Sequence, residues 1–278
     1  MREDFLYETS KGYSIPISLY GAEYWGTRPC IVYIHGFKGF KDWGFVPYCG
    51  EYLVKEGFCF VCFNFSHNGI VGHADEFTAF DKFEQNSFSL EVSEAKEMIH
   101  LCMHTDFFGR YSVQKIGVIG HSRGGGISIL SCSGNQDVSA LVTWASVSSF
   151  DRFDKKTRED WRKKGYIEVM NSRTKQVFRL GRKLLEDVER HTKTRLNVLE
   201  AVRSLEKPLL ILHGSDDKAV GYYEAEQLNI YSSAAQTQFR LIPGAGHTFG
   251  AKHPFVGTTP DLELVLELSS QFFRASLY

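Results

Sequence analysis

The chain has 278 residues, 43% of them hydrophobic and 23% charged, a globular composition that excludes a disordered, collagen-like or coiled-coil protein. Its 32 Lys and Arg and 33 Asp and Glu give a net charge of -1, so no overall field attracts nucleic acid or an anionic membrane. The first residues lack the pattern of a signal peptide, and no apolar run reaches the length of about 20 residues that spans a bilayer. We therefore expect a cytoplasmic protein with neither a nucleic-acid nor a membrane partner.

Strand-like and helix-like segments alternate along most of the chain, which is typical of an α/β protein whose parallel sheet has helices on both faces. A hairpin across Lys11-Gly12 is predicted first, with strands at 4–9 and 15–20 at the sheet edge. Six short, mostly apolar strands follow, at 30–34, 59–65, 115–119, 140–145, 209–212 and 239–242. An apolar stripe predicts a helix around 92–102, and a terminal helix is expected over 261–273, after Pro260.

Two stretches interrupt this alternation. Residues 66–86 form a long connection of the kind that often lines a functional site. Residues 151–207, after the sixth strand, carry 17 Lys and Arg against 10 Asp and Glu, a net charge of +7. We predict that residues 151–207 form an inserted cap, with a hairpin at 166–180 and two helices, over a core made of residues 1–150 and 208–278. A solvated insertion with no part in the site is the alternative.

Neither the cysteines nor the histidines suggest a metal or a cofactor. Cys59 and Cys62 form a C-x-x-C, but it lies inside an apolar strand that sends the two thiols to opposite faces, and no second C-x-x-C accompanies it. His67 and His73 in the long connection have no carboxylate at a metal-ligand spacing. Nucleotide-binding glycine motifs are absent as well, so we expect neither a metal nor a cofactor.

The sequence Gly120-His-Ser-Arg-Gly124 follows a buried strand and precedes a helix-compatible stretch. This is G-x-S-x-G in the strand-turn-helix context that the nucleophile motif requires. Glycines at both ends relieve the crowding of a tight turn, and the helix start places unpaired backbone N–H groups near the serine. Ser122 is therefore the candidate nucleophile.

A serine nucleophile needs a base, and the base needs a group that orients it. The strand at 209–212 runs into a turn with Asp216 and Asp217, and the strand at 239–242 runs into a glycine-rich turn with His247. The order is Ser, Asp, His, each just after the carboxyl end of a strand, which is the chain order of an α/β-hydrolase triad. At this level either Asp216 or Asp217 is possible.

These motifs, with His35-Gly36-Phe37 after the third strand, resemble those of the α/β-hydrolase superfamily. Segments 35–43, 63–66, 120–124 and 244–249 are similar to the cinnamoyl- and feruloyl-esterase-like branch, with serine aminopeptidase-like hydrolases as neighbours. The resemblance implies an α/β-hydrolase fold, with a mostly parallel eight-stranded sheet and a cap after the sixth strand. It implies Ser122 as nucleophile and His247 as base, and its G-x-x-D spacing from Gly214 selects Asp217. It also implies an oxyanion hole formed by the backbone N–H groups of Phe37 and Arg123.

We expect a small-molecule ester as the substrate, with a short acyl or an aromatic, hydroxycinnamoyl-type group. The candidate substrate-binding residues are aromatic side chains near the start of the insertion, namely Trp144, Phe150, Trp161 and Tyr166, although such rings are equally common in cores. Three other functions stay open: a peptidase or aminopeptidase, a thioester hydrolase, and a non-catalytic receptor with a hydrolase shell. A basic insertion weakens the aminopeptidase hypothesis, because that enzyme needs acidic groups for the substrate ammonium.

Overall fold

The structure is a computed structural model that describes residues 1–72, 74–109 and 111–278. Its strands are β1 (Arg2–Glu8), β2 (Ser14–Tyr20), β3 (Cys30–Ile34), β4 (Cys59–Phe63), β5 (Ile116–His121), β6 (Val138–Trp144), β7 (Tyr166–Met170), β8 (Val177–Gly181), β9 (Leu209–Gly214) and β10 (Thr237–Ile242). Its helices are α1 (Val46–Lys55), α2 (Phe80–Glu84), α3 (Phe88–His104), α4 (Arg123–Cys132), α5 (Lys155–Lys164), α6 (Arg182–His191), α7 (Val198–Arg203), α8 (Tyr223–Tyr231) and α9 (Pro260–Leu277).

Eight of the strands form one sheet in the order β1-β2-β4-β3-β5-β6-β9-β10. The pairs β1–β2 and β2–β4 are antiparallel, and every other pair is parallel. Strands β3, β4, β5 and β9 are buried along their whole length, because helices cover both faces and leave no position for a polar alternation. The predicted eight-stranded, mostly parallel sheet is confirmed.

Two apolar clusters lie on opposite faces of this sheet. One contains buried side chains of α3, α4, α6, α7 and α8, and the other contains those of α1 and α9. Cys59 belongs to the first cluster and Cys62 to the second, and both thiols are free and buried. The alternation predicted for this C-x-x-C is therefore confirmed.

Residues 151–207 form α5, the β7–β8 hairpin, α6 and α7, and the hairpin is a two-stranded sheet separate from the main one. Asp187 of α6 accepts hydrogen bonds from the backbone N–H and the hydroxyl of Ser89 at the start of α3. The division of the chain into a core and a cap stays a prediction.

The long connection at 66–86 packs against the hairpin. The rings of Phe77 and Phe83 lie 5.0 and 4.6 Å from the ring of Phe178 in β8, between centroids. None of its described residues lines the two cavities beside Ser122, which corrects the expectation of a site-lining loop. His67 is held by the Ser66 hydroxyl, whereas His73 lies outside the described residues.

Among the described residues, no helix combines the length and the apolar character that crossing a membrane requires. The cytoplasmic location stays a prediction.

Candidate active site

Ser122 lies in the sharp turn between β5 and α4. Its φ of 58° and ψ of -122° are unusual for a residue with a side chain, and the surrounding hydrogen bonds hold it there. Its N–H donates to the carbonyl of Trp144 at the end of β6 (2.8 Å), and its carbonyl accepts from the N–H of Val147 (3.2 Å). The turn thus lifts the hydroxyl above the carboxyl ends of the strands.

The structure shows a steric reason why both outer positions of G-x-S-x-G are glycine. A Cβ on Gly124 would lie 2.2 Å from the carbonyl oxygen of Ile34 in β3, and a Cβ on Gly120 would lie 2.4 Å from the carbonyl oxygen of Gly124. Both contacts are with backbone and cannot be relieved by a rotamer change. Any side chain at these positions would displace the turn that carries Ser122.

Ser122, His247 and Asp217 form one hydrogen-bonded relay. The Ser122 hydroxyl and His247 Nε2 are 3.0 Å apart, and His247 Nδ1 and Asp217 Oδ2 are 2.7 Å apart. The other oxygen of Asp217 accepts from the N–H groups of Ala219 and Val220, which fixes the carboxylate. Asp216 is instead exposed and paired with Lys218, so the structure brings Asp217 to the histidine and leaves Asp216 outside.

The electrostatics keep this carboxylate ionised. Burial alone would raise the pKa of Asp217, but hydrogen bonds from His213 and His247 and from backbone N–H groups lower it well below its usual value. An ionised Asp217 requires a proton on Nδ1 of His247, which leaves Nε2 free to accept from the Ser122 hydroxyl.

Two further histidines contact the relay, and neither is among the site residues predicted from the sequence. His121 donates from Nε2 to the backbone carbonyl of His247 (2.9 Å), and burial lowers the pKa of His121 to about 3, so the ring is neutral. His213 has its Nε2 2.8 Å from the carbonyl of Val220 and 3.4 Å from Asp217 Oδ2. In the sequence, His121 directly follows Gly120 and His213 directly precedes Gly214. These positions, beside the glycines of the two turns that carry Ser122 and Asp217, could have indicated that both histidines lie near the site.

The loop after β3 reaches the serine closely. A Cβ on Gly36 would lie 2.9 Å from Cβ of Ser122, so only a glycine allows this approach. Within the described part of the chain, the backbone N–H groups of Phe37 and Arg123 make no hydrogen bond, as expected for Arg123 at the first position of α4. Two unpaired donors beside the serine are the groups an oxyanion hole requires.

The Arg123 side chain connects these two segments. Its guanidinium lies over the ring of Phe37 at 4.7 Å and donates to Glu91 of α3 at 2.7 Å. Glu91 is fully buried and also accepts from Asn86. Glu91 is not among the site residues predicted from the sequence, although it lies at helical spacing from the buried Ala95 and Cys102.

Two cavities meet at Ser122 and His247. The larger, here called the apolar cavity, has a volume of about 620 Å³ and is lined mainly by apolar side chains, among them Phe88, Val147, Phe150, Phe153, Leu180 and Leu184. The smaller, here called the basic cavity, has a volume of about 200 Å³, and its lining includes Lys38, Trp43, Asn171, Arg173 and Thr248. A substrate whose carbonyl lies at Ser122 can therefore extend into the apolar cavity on one side and into the basic cavity on the other.

Of the four predicted substrate-binding rings, only Phe150 lines a cavity. Trp144 is fully buried beneath the sheet, where its Nε1 donates to Ser269 of α9. Trp161 packs edge-on against Phe153, and the cationic groups of Lys164 and Arg179 lie over the Tyr166 ring. The structure corrects the prediction for these three rings: Trp144 and Trp161 are buried in the core, Tyr166 packs against the two cations, and none of the three is a lining residue of either cavity.

One group of side chains has metal-ligand character. His100 and His104, one turn apart on α3, and Asp137 before β6 bring one ligand atom each within 4.8 Å of one another. They lie at the amino ends of β5 and β6, the sheet edge opposite Ser122, and His104 Nε2 already bonds Asp137 at 2.8 Å. Because this group is far from Ser122 along the strands, it does not imply a metal cofactor for the chemistry at the serine.

The chain was compared with known protein families, sequences and solved structures. The model of the prolyl oligopeptidase family matches residues 53–256, more than half of the chain. The chain belongs to the prolyl oligopeptidase family. It is a hydrolase by family, and no curated protein sequence matches it.

Solved structures similar to this family member are α/β-hydrolases. Est1E from Butyrivibrio proteoclasticus with bound ferulic acid is 19% identical, with a TM-score of 0.74 over 98% of this chain and 99% of that chain. The esterase domain of a Rhodothermus marinus protein is 16% identical, with a TM-score of 0.65 over 100% of both chains. Alpha/beta hydrolase domain-containing protein 10 from mouse is 15% identical, with a TM-score of 0.72 over 98% of this chain and 99% of that chain. The expected α/β-hydrolase fold is confirmed.

Proposed function

We propose that the protein hydrolyses carboxylic esters through an acyl-enzyme on Ser122. The observation that carries the proposal is the relay from Ser122 through His247 to the buried Asp217, placed where the two cavities meet. A serine, an imidazole and an ionised carboxylate in this order supply a nucleophile, a base and the group that orients the base.

In the proposed reaction, the Ser122 hydroxyl attacks the ester carbonyl while Nε2 of His247 takes its proton. The negative charge on the carbonyl oxygen is stabilised by the N–H groups of Phe37 and Arg123. His247 then gives the proton to the departing alcohol, which leaves the acyl group on Ser122. His247 next takes a proton from water, which attacks the acyl carbonyl, and then returns the proton to the Ser122 oxygen as the bond to the acyl group breaks and the acid leaves.

The apolar cavity supports a substrate with one apolar side. Phe88 and Phe150 stack at 4.2 Å with an interplanar angle of 15° and form a flat wall. Two of the three basic residues that line this cavity have an acidic partner, since Arg123 pairs with Glu91 and Arg152 pairs with Glu224. A short acyl chain or an aromatic acyl group, including the hydroxycinnamoyl type, is the proposed occupant.

A panel of esters tests the proposal: p-nitrophenyl acetate, p-nitrophenyl octanoate and methyl ferulate, with the Ser122→Ala variant as the control. We expect ester turnover that falls by a factor of about 10³ or more in Ser122→Ala. Incubation with a fluorophosphonate and mass spectrometry of the intact protein should show one adduct, which is absent from Ser122→Ala. Turnover that survives in the variant, or no adduct, would refute the serine mechanism.

The family match favours a peptidase as the second candidate. The cavity linings weigh against an aminopeptidase, because neither cavity includes an Asp or Glu among its described lining residues to hold a substrate ammonium. Leucine arylamide and an N-blocked prolyl arylamide, added to the same panel, distinguish the two. Arylamide cleavage that depends on Ser122, without ester preference, would assign the protein to peptide substrates.

A further inference from the structure

The cations around the site differ in whether they have an acidic partner. Arg123 and Arg152 in the apolar cavity are each paired with a buried glutamate. Lys38 and Arg173 in the basic cavity form no ion pair with any carboxylate in the described part of the chain. Two neighbouring positive charges without a counter-charge distinguish this cavity from the rest of the site.

Lys38 lies at the junction of the two cavities and lines both. Its ammonium donates to the carbonyl of Met170 at 3.0 Å and lies 5.1 Å from the centre of the Phe37 ring. An ammonium has three donors, so two remain available for a ligand. The side chain is half-buried, and burial lowers the pKa of Lys38, which means that the charge lacks part of its hydration and gains from an anion placed beside it.

Arg173 lies in the turn of the β7–β8 hairpin and also lines the basic cavity. The turn is defined by Asn171, whose side chain accepts from the Arg173 N–H at 3.1 Å. Burial and then the positive charge of Arg173 lower the pKa of His253, whose ring stacks on Trp43 in the lining of the basic cavity. Asp75 also influences His253, yet it forms no ion pair with Arg173 among the described residues.

No other group in the basic cavity offsets these charges. Burial lowers the pKa of His35 to about 4 and that of His121 to about 3, so both rings are neutral near pH 7. Asp217 lies behind His247 and is already bonded to His247 and to backbone N–H groups. The cavity therefore presents two cationic donors close to the nucleophile.

We propose that the substrate carries an anionic oxygen group, a carboxylate or a phosphate, which binds in the basic cavity between Lys38 and Arg173. This inference rests on the proposed ester hydrolysis and adds the charge of the substrate to it. A volume of about 200 Å³ suits a small charged group, whereas the apolar part of the substrate occupies the larger cavity. Lys38 and Arg173 are thus specificity-determining residues, separate from the relay.

Matched ester pairs test the inference, because the members of each pair differ in one charge. 4-Acetoxybenzoate and its methyl ester place the charge on the leaving group, and mono-4-nitrophenyl glutarate and 4-nitrophenyl pentanoate place it on the acyl group. 4-Acetoxyphenyl phosphate distinguishes a phosphate from a carboxylate. We expect kcat/KM to favour the charged member of at least one pair by about tenfold, through KM, and this preference to decrease between 20 and 500 mM NaCl.

The variants Lys38→Met and Arg173→Met identify the residues responsible. We expect the charged-to-neutral ratio to fall about tenfold in Lys38→Met and several-fold in Arg173→Met. Lys115→Met is the matched control, since Lys115 is exposed at the opposite edge of the sheet and should leave the ratio unchanged. A preference for the neutral member of both pairs, or equal ratios in all four proteins, would overturn the inference.

A binding measurement separates this inference from the proposed function. Calorimetry on Ser122→Ala with 4-acetoxybenzoate, the phosphate ester, the glutarate ester and their neutral counterparts requires no turnover. Tighter binding of a charged ligand that is lost with Lys38→Met supports the anionic subsite even if no ester is hydrolysed. Ser122-dependent turnover of neutral esters, without any effect of charge on turnover or binding, would refute the subsite and leave the ester hydrolase in place.

Discussion

Replacing Asp217 with Asn tests the proposed relay most directly, because the structure fixes how the amide would sit. Oδ1 of Asp217 accepts from the N–H groups of Ala219 (2.8 Å) and Val220 (2.9 Å), so in Asp217→Asn the amide oxygen must occupy that position. The NH₂ group then takes the place of Oδ2, which lies 2.7 Å from Nδ1 of His247 in the wild-type structure. A donor there forces the His247 proton onto Nε2, where it points at Ser122 and blocks the base.

The expected loss follows from this wrong tautomer. We expect kcat to fall by about 10³- to 10⁴-fold, equivalent to about 4 to 5.5 kcal/mol, with a small change in KM. Asp216→Asn is the matched control and should stay within about twofold, because that side chain is exposed and pairs only with Lys218. Steady-state hydrolysis of the best ester and urea unfolding of each variant provide the readout. An Asp217→Asn enzyme that is folded and within tenfold of wild type, or an equal loss in Asp216→Asn, would refute the reasoning.

Three further predictions concern the surroundings of the relay. Gly36→Ala should lower kcat by about tenfold or more, because the new methyl would lie 2.9 Å from Cβ of Ser122 and displace the nucleophile or its loop. Arg123→Met should lower the free energy of unfolding by about 3 to 5 kcal/mol in urea, because it leaves the carboxylate of Glu91 buried without its cation. Burial raises the pKa of Glu94 to about 7, so the native protein retains a proton that the unfolded chain releases, and wild-type stability falls as the pH rises. Relative to Glu94→Gln, wild type should lose about 2 kcal/mol between pH 5 and pH 8.

Each of these predictions has a control in the chain. Gly246→Ala precedes His247, but its Cβ would meet nothing within 4 Å, so it should keep its activity if the clash at Gly36 is the cause. Adding Glu91→Leu to Arg123→Met should recover part of the lost stability, and a purely additive result would contradict the ion-pair explanation. A difference between wild type and Glu94→Gln that is constant from pH 5 to pH 8 would show that Glu94 does not titrate in this range.

The strands and the order of the candidate site could be predicted because they depend on local patterns. Buried parallel strands appear as short apolar runs, and β3 (Cys30–Ile34) has the predicted bounds. The turn at Ser122 needs glycines because a Cβ there would collide with backbone atoms of the turn itself or of the neighbouring strand β3. The alternation that separates Cys59 from Cys62 is likewise a property of one strand.

The aromatic residues and the long connection could not be placed in the same way. Trp144 and Phe150 are six residues apart and both are large aromatic residues, yet Trp144 packs against α9 and Phe150 lines the apolar cavity. Which face a ring occupies depends on the strand end and the turn between them. The connection at 66–86 faces the hairpin because Phe178, a hundred residues later, provides its partner.

By itself, the sequence pattern determined an α/β fold and the chain order of Ser122, an Asp and His247, because strand periodicity and turn chemistry are local, and the resemblance of the motifs implied the α/β-hydrolase fold. The family resemblance selected Asp217 over Asp216 by motif spacing, and the tertiary structure gives the physical reason, since Asp217 is the carboxylate that reaches His247 across the sheet edge. Only the tertiary structure decided which cations are neutralised. Arg123 finds Glu91 on another helix, whereas Lys38 and Arg173 have no such partner in the described chain, because ion pairs form between segments that are distant in sequence.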